Sequence, residues 1–218
     1  MEIRYLAHAC FRLTGADTTL VIDPYQPGGF GGAISYHAMR MPADAVLITH
    51  DHADHNYAQG VPGRHELVRS EGKHRVKSAE IVGVGDYHDA SRGSERGRVI
   101  MYNVELEGVW VCHLGDLGRV ISAEEARPLG RIDVLLLPVG GVFTVDARGA
   151  TEVMEHLRPR ITIPMHYQTS GTTLPLASVD DFLQGKANVR RLQGSALTVT
   201  PQGLPTSPEI VVLQPELL

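Results

Sequence analysis

Residues 46–56, VLITHDHADHN, place His50, Asp51, His52, Asp54 and His55 within six positions at the end of an apolar run. A chain that builds this has to bring a buried strand to a rim and turn sharply there. On an extended segment, residues two apart point the same way, so His50 and His52 can grip one ion together. Asp54 and His55 are adjacent, and the backbone must leave strand geometry for both to reach a second ion. Clusters of imidazole and carboxylate suit Zn²⁺ and its first-row neighbours. A metal centre is therefore expected here, in preference to a polar loop whose histidines are exposed by chance.

Such a centre needs ligands from elsewhere in the chain, and three places offer them. They are GVGDYHD with His88, VWVCHLGD with His113 and Asp116, and ITIPMHY with His166. Each follows or ends a short apolar, β-branched run that reads as a strand. Further strand candidates are EIRYLAHACFRL, TTLVIDP, DAVLITH, AEIVGVG, RVIMYNVEL, DVLLLPVG, ALTVTP and EIVVLQP, of which VLLLP reads as buried on both faces. Three helices are expected. SAEEARPL carries a capping box from Ser122 to Glu125; DARGATEVMEHLRP starts at Asp146 and ends before Pro159; SVDDFLQGK runs from a Ser178 cap toward Gly185. Strands with helices between them imply a layered α/β (α+β) domain, with sheets packed together and covered by helices.

The 218 residues contain no repeat and no Pro/Ser-rich linker, so one domain over 1–218 is expected. A formal charge of −5 gives nucleic acid no basic surface to bind, and the densest basic group, Lys73 to Lys77, reads as a solvated loop. No apolar run approaches the roughly 18 residues of a membrane span. The first residues lack the pattern of a signal peptide. With Cys10 and Cys112 read as buried core thiols, the expectation is a soluble cytoplasmic protein. The stretch YQPGGFGGAISYHAMR from Tyr25 reads as a mobile surface loop, though it directly follows the strand ending at Asp23.

Taken in order, H-x-H-x-D-H, a lone histidine, a G-D step and a final histidine in PMHY resemble the metallo-β-lactamase-fold hydrolases. YLAHACFRL, LVIDP and LLPVGGVFTVD add to the likeness, which covers nearly the whole chain. It is strongest to the small single-domain branch of metal-dependent hydrolases that includes the ascorbate-lactonase-like proteins. The resemblance implies a four-layer αββα sandwich with the site at one edge between the sheets. It implies that His50, His52 and His88 hold a first metal, that Asp54, His55 and His166 hold a second, and that Asp116 bridges them. His113 is the alternative to His88. It also places His8 near the metals, facing ligand or substrate, and Asp23 beneath them, orienting a ligand histidine.

The chemistry implied is hydrolysis. Two divalent ions, Zn²⁺ foremost with Mn²⁺ or Fe²⁺ as alternatives, lower the pKa of a shared water from about 15.7 toward about 7, giving a hydroxide nucleophile. Asp54 is the catalytic residue that orients it and accepts its proton. The expected substrate is a small molecule with a lactone, ester or phosphodiester bond. Tyr36 and His37 in the glycine-rich stretch and Arg92 in DASRGSERG are candidate substrate contacts. A nuclease of the same fold and a non-catalytic metal-binding sensor or scaffold are the alternatives. A homo-oligomer is compatible with the sequence.

Overall fold

The computed structural model describes residues 1–218. The strands are β1 (Glu2–Ala7), β2 (Cys10–Thr14), β3 (Thr19–Ile22), β4 (Ala45–Leu47), β5 (Glu66–Val68), β6 (Gly72–Val76), β7 (Ala79–Tyr87), β8 (Arg98–Leu106), β9 (Val109–His113), β10 (Val134–Pro138), β11 (Ile161–Met165), β12 (Val189–Arg191), β13 (Ala196–Thr198) and β14 (Glu209–Val212). They form a six-stranded sheet, β13-β1-β2-β3-β4-β5, and an eight-stranded sheet, β12-β14-β11-β10-β9-β8-β7-β6.

The period-two pattern of the first strands decides which side chains face the second sheet. Ile3, Tyr5, Phe11, Leu13, Leu20, Ile22, Ala45 and Leu47 enter the large core between the sheets. Cys10, Val21, Val46 and Ile48 face the other way, into a smaller cluster completed by Tyr25, Ile34, Tyr36 and Met39. The glycine-rich stretch is therefore a cover over the outer face of the six-stranded sheet, not a free loop. Its one short turn, α1 (Gly29–Gly32), passes through left-handed Phe30 and Gly31 (φ 51° and 65°), so this cover is irregular chain and not a regular helix.

EIRYLAHACFRL, one run in the sequence, is two strands. His8 takes a left-handed φ of 58° and turns the chain into a hairpin that pairs Ala7 with Cys10. In the second sheet β10 is buried at every position, parallel to β9 and β11. α2 (Ala147–Leu157) starts at Asp146, whose Oδ1 accepts the Gly149 N–H at 2.8 Å, and ends at a left-handed Arg158 before Pro159. α3 (Val179–Leu183) is capped by Ser178.

Two expectations fail. The Ser122–Glu125 capping contacts form, at 2.8 and 3.2 Å, yet only a 3₁₀ turn (Arg127–Leu129) follows. Pro128 has no N–H to donate and disfavours α conformation at Arg127. The basic group Lys73–Lys77 is mostly an edge strand, β6, whose exposed charges discourage pairing with another chain.

The layers are those of an α/β sandwich, two mixed sheets face to face with α2 and α3 beside the larger one. β3 and β4 run parallel in one sheet, and β9, β10 and β11 in the other. The candidate site residues Asp23, the 50–55 cluster, Asp116 and His166 follow β3, β4, β9 and β11, at the carboxyl ends of parallel strands, and His88 follows the antiparallel β7. No helix is long and apolar enough to cross a membrane.

Candidate metal centre

The loop after β4 turns at once, because the carbonyl of His52 accepts the N–H groups of His55 (2.9 Å) and Asn56 (3.0 Å). This turn lets one short stretch aim in two directions. The side-chain nitrogens of His50, His52 and His88 lie within 4.8 Å of one another, and so do the ligand atoms of His8, Asp54, His55 and His166. Asp116 stands between the two groups. Its Oδ2 is 3.3 Å from His88 Nε2, 3.2 Å from His55 Nε2, 3.3 Å from His166 Nε2 and 3.8 Å from His50 Nε2.

The hydrogen bonds behind these rings decide which nitrogen faces inward. Asp23, at the end of β3 with φ 51°, accepts the Thr49 N–H (2.8 Å) and hydroxyl (2.6 Å) and the His55 Nδ1–H (3.0 Å). With its own proton given to Asp23, the Thr49 oxygen accepts from His50 Nδ1 at 2.9 Å. Both rings are thereby held in the tautomer whose Nε2 carries a lone pair. His50 Nε2, His55 Nε2, His166 Nε2, Asp54 Oδ1 and Asp116 Oδ1 are buried without a hydrogen-bond partner. Burying that many unpaired polar atoms costs about 1–3 kcal/mol each, a cost that a coordinated cation removes. The donor set thus fits divalent ions.

The electrostatics point the same way. Burial pushes His50 down to about 3 and His8 down to about 4, with His55 and His166 respectively adding to the effect. His52 is lowered by burial too. Neutral imidazole is the form that ligates. Burial works to raise Asp116, but His166 and His55 hold it well below the usual carboxylate range, and Asp54 is held down by His55 and His8 in the same manner. His55 alone is pushed up, Asp116 and Asp54 outweighing its burial. The field that favours a proton there equally favours a metal cation.

His113, the alternative to His88, does not join the cluster. Gly115 N–H donates to its Nδ1 at 2.9 Å and its Nε2–H donates to the Ala9 carbonyl at 2.8 Å, so both nitrogens are occupied. It shapes the turn that carries Asp116. His8 is fully buried, with Nε2 3.0 Å from Asp54 Oδ2. Gly118 permits the Asp116 loop to lie against His88, since a Cβ there would meet the His88 carbonyl at 2.3 Å.

A pocket of about 280 Å³ opens over the cluster, lined by Phe30, His52, Asp54, His88, Arg96, Asp116, Phe143 and Leu174. The three expected substrate contacts, Tyr36, His37 and Arg92, do not line it. His37 is exposed on a surface recess with Arg40, Met41 and Glu216, because its carbonyl and N–H are tied to Tyr25 and Leu217. Its neighbour Tyr36 is buried, bonded to Thr169. Arg92 sits at the exposed tip of the 89–97 loop, and the arginine that reaches the pocket is Arg96. Thr49, Arg96 and Phe143 were not legible as site residues. Only the placement of Thr49 directly before the histidine cluster was a usable signal.

Residues 2–166 match the family model of the β-lactamase superfamily domain. A "UPF0173 metal-dependent hydrolase" of Thermococcus onnurineus is 33% identical over 194 residues, covering 78% of this chain and 85% of that protein. One from Archaeoglobus fulgidus is 32% identical, with 78% and 84% covered. The crystal structure of a proposed Zn-dependent hydrolase of the metallo-β-lactamase superfamily from Thermotoga maritima superposes with a TM-score of 0.81 at 34% identity, over 97% of each chain. With its two sheets, its strand-end cluster and these relatives, the chain belongs to the β-lactamase superfamily, among the UPF0173 metal-dependent hydrolases.

Proposed function

We propose that this protein is a hydrolase with a dinuclear metal site, cleaving a lactone, ester or phosphodiester bond of a small molecule. The observation that carries the reading is that one buried carboxylate, Asp116, lies 3.2–3.8 Å from histidines of both candidate groups and lines a solvent-open pocket. His50, His52 and His88 would hold one ion, and Asp54, His55 and His166 the other. Bound there, two divalent ions supply a water acidified toward neutral pH and a Lewis acid for the oxygen of the scissile group. Zn²⁺ suits this donor set, and Mn²⁺ or Fe²⁺ accept it as well.

The remaining steps belong to the chain's own residues. Asp54 keeps Oδ1 without a hydrogen bond while His8 holds Oδ2, which orients the carboxylate toward the pocket. It accepts the proton of the attacking water and passes it to the leaving oxygen as the bond to that oxygen breaks. Ligands follow strands of both sheets, so the proposed site needs the two sheets together. A net charge of −5 and one arginine among the pocket residues favour a small substrate over RNA.

Elemental analysis of the purified protein, beside Asp116→Ala and His88→Ala, tests the reading. About two ions per chain, reduced in both variants, with turnover on a panel of lactones, esters and phosphodiesters, is the expected result. One ion or none after reconstitution with Zn²⁺, Mn²⁺ or Fe²⁺ would favour a sensor or scaffold.

A further inference from the structure

Resting on that reading, we infer that Arg96 anchors a carboxylate carried by the substrate, separated from the scissile bond by an apolar body. The charged side chains lining the pocket apart from Arg96 are the carboxylates Asp54 and Asp116, which belong to the metal cluster. Arg96 is the pocket's one guanidinium. Its ion-pair partner is Glu95 at 3.6 Å, a neighbour in sequence whose side chain is 59% exposed, so its forked donors are open to a ligand. A planar guanidinium reads a carboxylate with two parallel hydrogen bonds.

Its position is built. Asp89 follows His88 directly and accepts four backbone N–H groups of the loop, from Ser91 (2.8 Å), Gly93 (2.8 Å), Glu95 (3.1 Å) and Arg96 (2.8 Å). The N–H of His88 closes the same loop on Gly97 O at 3.0 Å. The backbone carrying Arg96 is thus tied to the backbone carrying a ligand histidine. The guanidinium stands 5.7 Å from the centre of the Phe143 ring, which restricts where it can swing.

The remaining walls are apolar. Phe30, Phe143 and Leu174 line the pocket, and Phe30 is 54% exposed at a left-handed φ of 51° among glycines. An aromatic ring held out in this way gains burial when an apolar ligand lies against it. The recognised molecule is a monoanionic ester or lactone with an aliphatic or aromatic segment between acid and scissile carbonyl. Hydrolysis adds water across the acyl–oxygen bond and leaves a second acid and an alcohol.

The test compares wild type with Arg96→Gln, Arg96→Lys and Arg96→Glu, all Zn²⁺-loaded. Turnover of para-nitrophenyl hydrogen adipate is divided by that of para-nitrophenyl hexanoate, and calorimetry measures binding of phenylacetate against phenylacetamide. The expected result is a wild-type preference for the acid of about 10-fold or more, collapsed in Arg96→Gln, partly kept in Arg96→Lys and reversed in Arg96→Glu, with phenylacetate affinity falling in step. Turnover without charge preference would overturn the inference and leave the hydrolase intact. Phenylacetate binding equal in wild type and Arg96→Gln would also overturn it, since the carboxylate would then sit on the metals. If neither ester is cleaved yet phenylacetate binding still depends on Arg96, the anchor stands and the ester-cleaving reading falls.

Discussion

His55 Nδ1 donates to Asp23 Oδ2 at 3.0 Å, and both side chains are fully buried. The same carboxylate holds Thr49, which in turn holds His50, so one aspartate orients a histidine of each ligand group. Asp23→Asn keeps the shape but replaces one acceptor oxygen with an amide donor. Metal affinity is expected to fall about 10- to 100-fold, measured by competition with a chelator. Unchanged affinity would mean the rings are oriented by packing alone.

Asp54→Ala removes the carboxylate proposed as proton acceptor, which lines the pocket. A loss of about 10²–10⁴ in kcat is expected, with far-ultraviolet circular dichroism unchanged. A variant turning over like wild type would sink the proposed mechanism.

His113→Ala and His88→Ala separate two histidines that the sequence alone leaves as alternatives. The first strips partners from the Ala9 carbonyl and the Gly115 N–H, so it should cost about 1–3 kcal/mol of stability in denaturant unfolding while metal content holds. The second should lose metal. The reverse pattern would exchange their roles.

Asp89→Ala releases four backbone N–H groups at once. Faster amide hydrogen exchange across 89–97 is the expected readout, together with a raised KM, because Arg96 then loses its fixed base. Protection equal to wild type would show that the loop is ordered by other contacts.

Leu136 is fully buried in β10 between β9 and β11. Leu136→Ala should destabilise by about 2–5 kcal/mol in chemical denaturation, through lost transfer energy and the cavity left behind. A smaller change would mean that the sheets close over the gap.

Much of the site was visible before folding because its pieces are local. His50, His52, Asp54 and His55 are neighbours in sequence, and His88, Asp116 and His166 each stand at or just past the end of an apolar run. Strand ends are where such a sheet opens, so their positions carried meaning without coordinates. Arg96 gave no such sign. Arg92 and Arg96 share one loop, and the bonds that fold it, four to Asp89 and one from His88 to Gly97, leave Arg92 at the exposed tip and Arg96 at the pocket. His37 failed for a related reason: its backbone is tied to Tyr25 and Leu217, the latter far along the chain.

By itself, the sequence determined the residue types of the cluster, their order, the alternation that buries one face of β1 to β4, and the ends of α2. These follow from backbone geometry within a few residues. Tertiary structure decided that His113 spends both nitrogens on backbone while His88 faces Asp116, and that residues 25–43 cover the outer sheet in place of helices. Those outcomes depend on which groups distant in sequence approach within about 3 Å, where hydrogen bonding falls steeply with distance and angle.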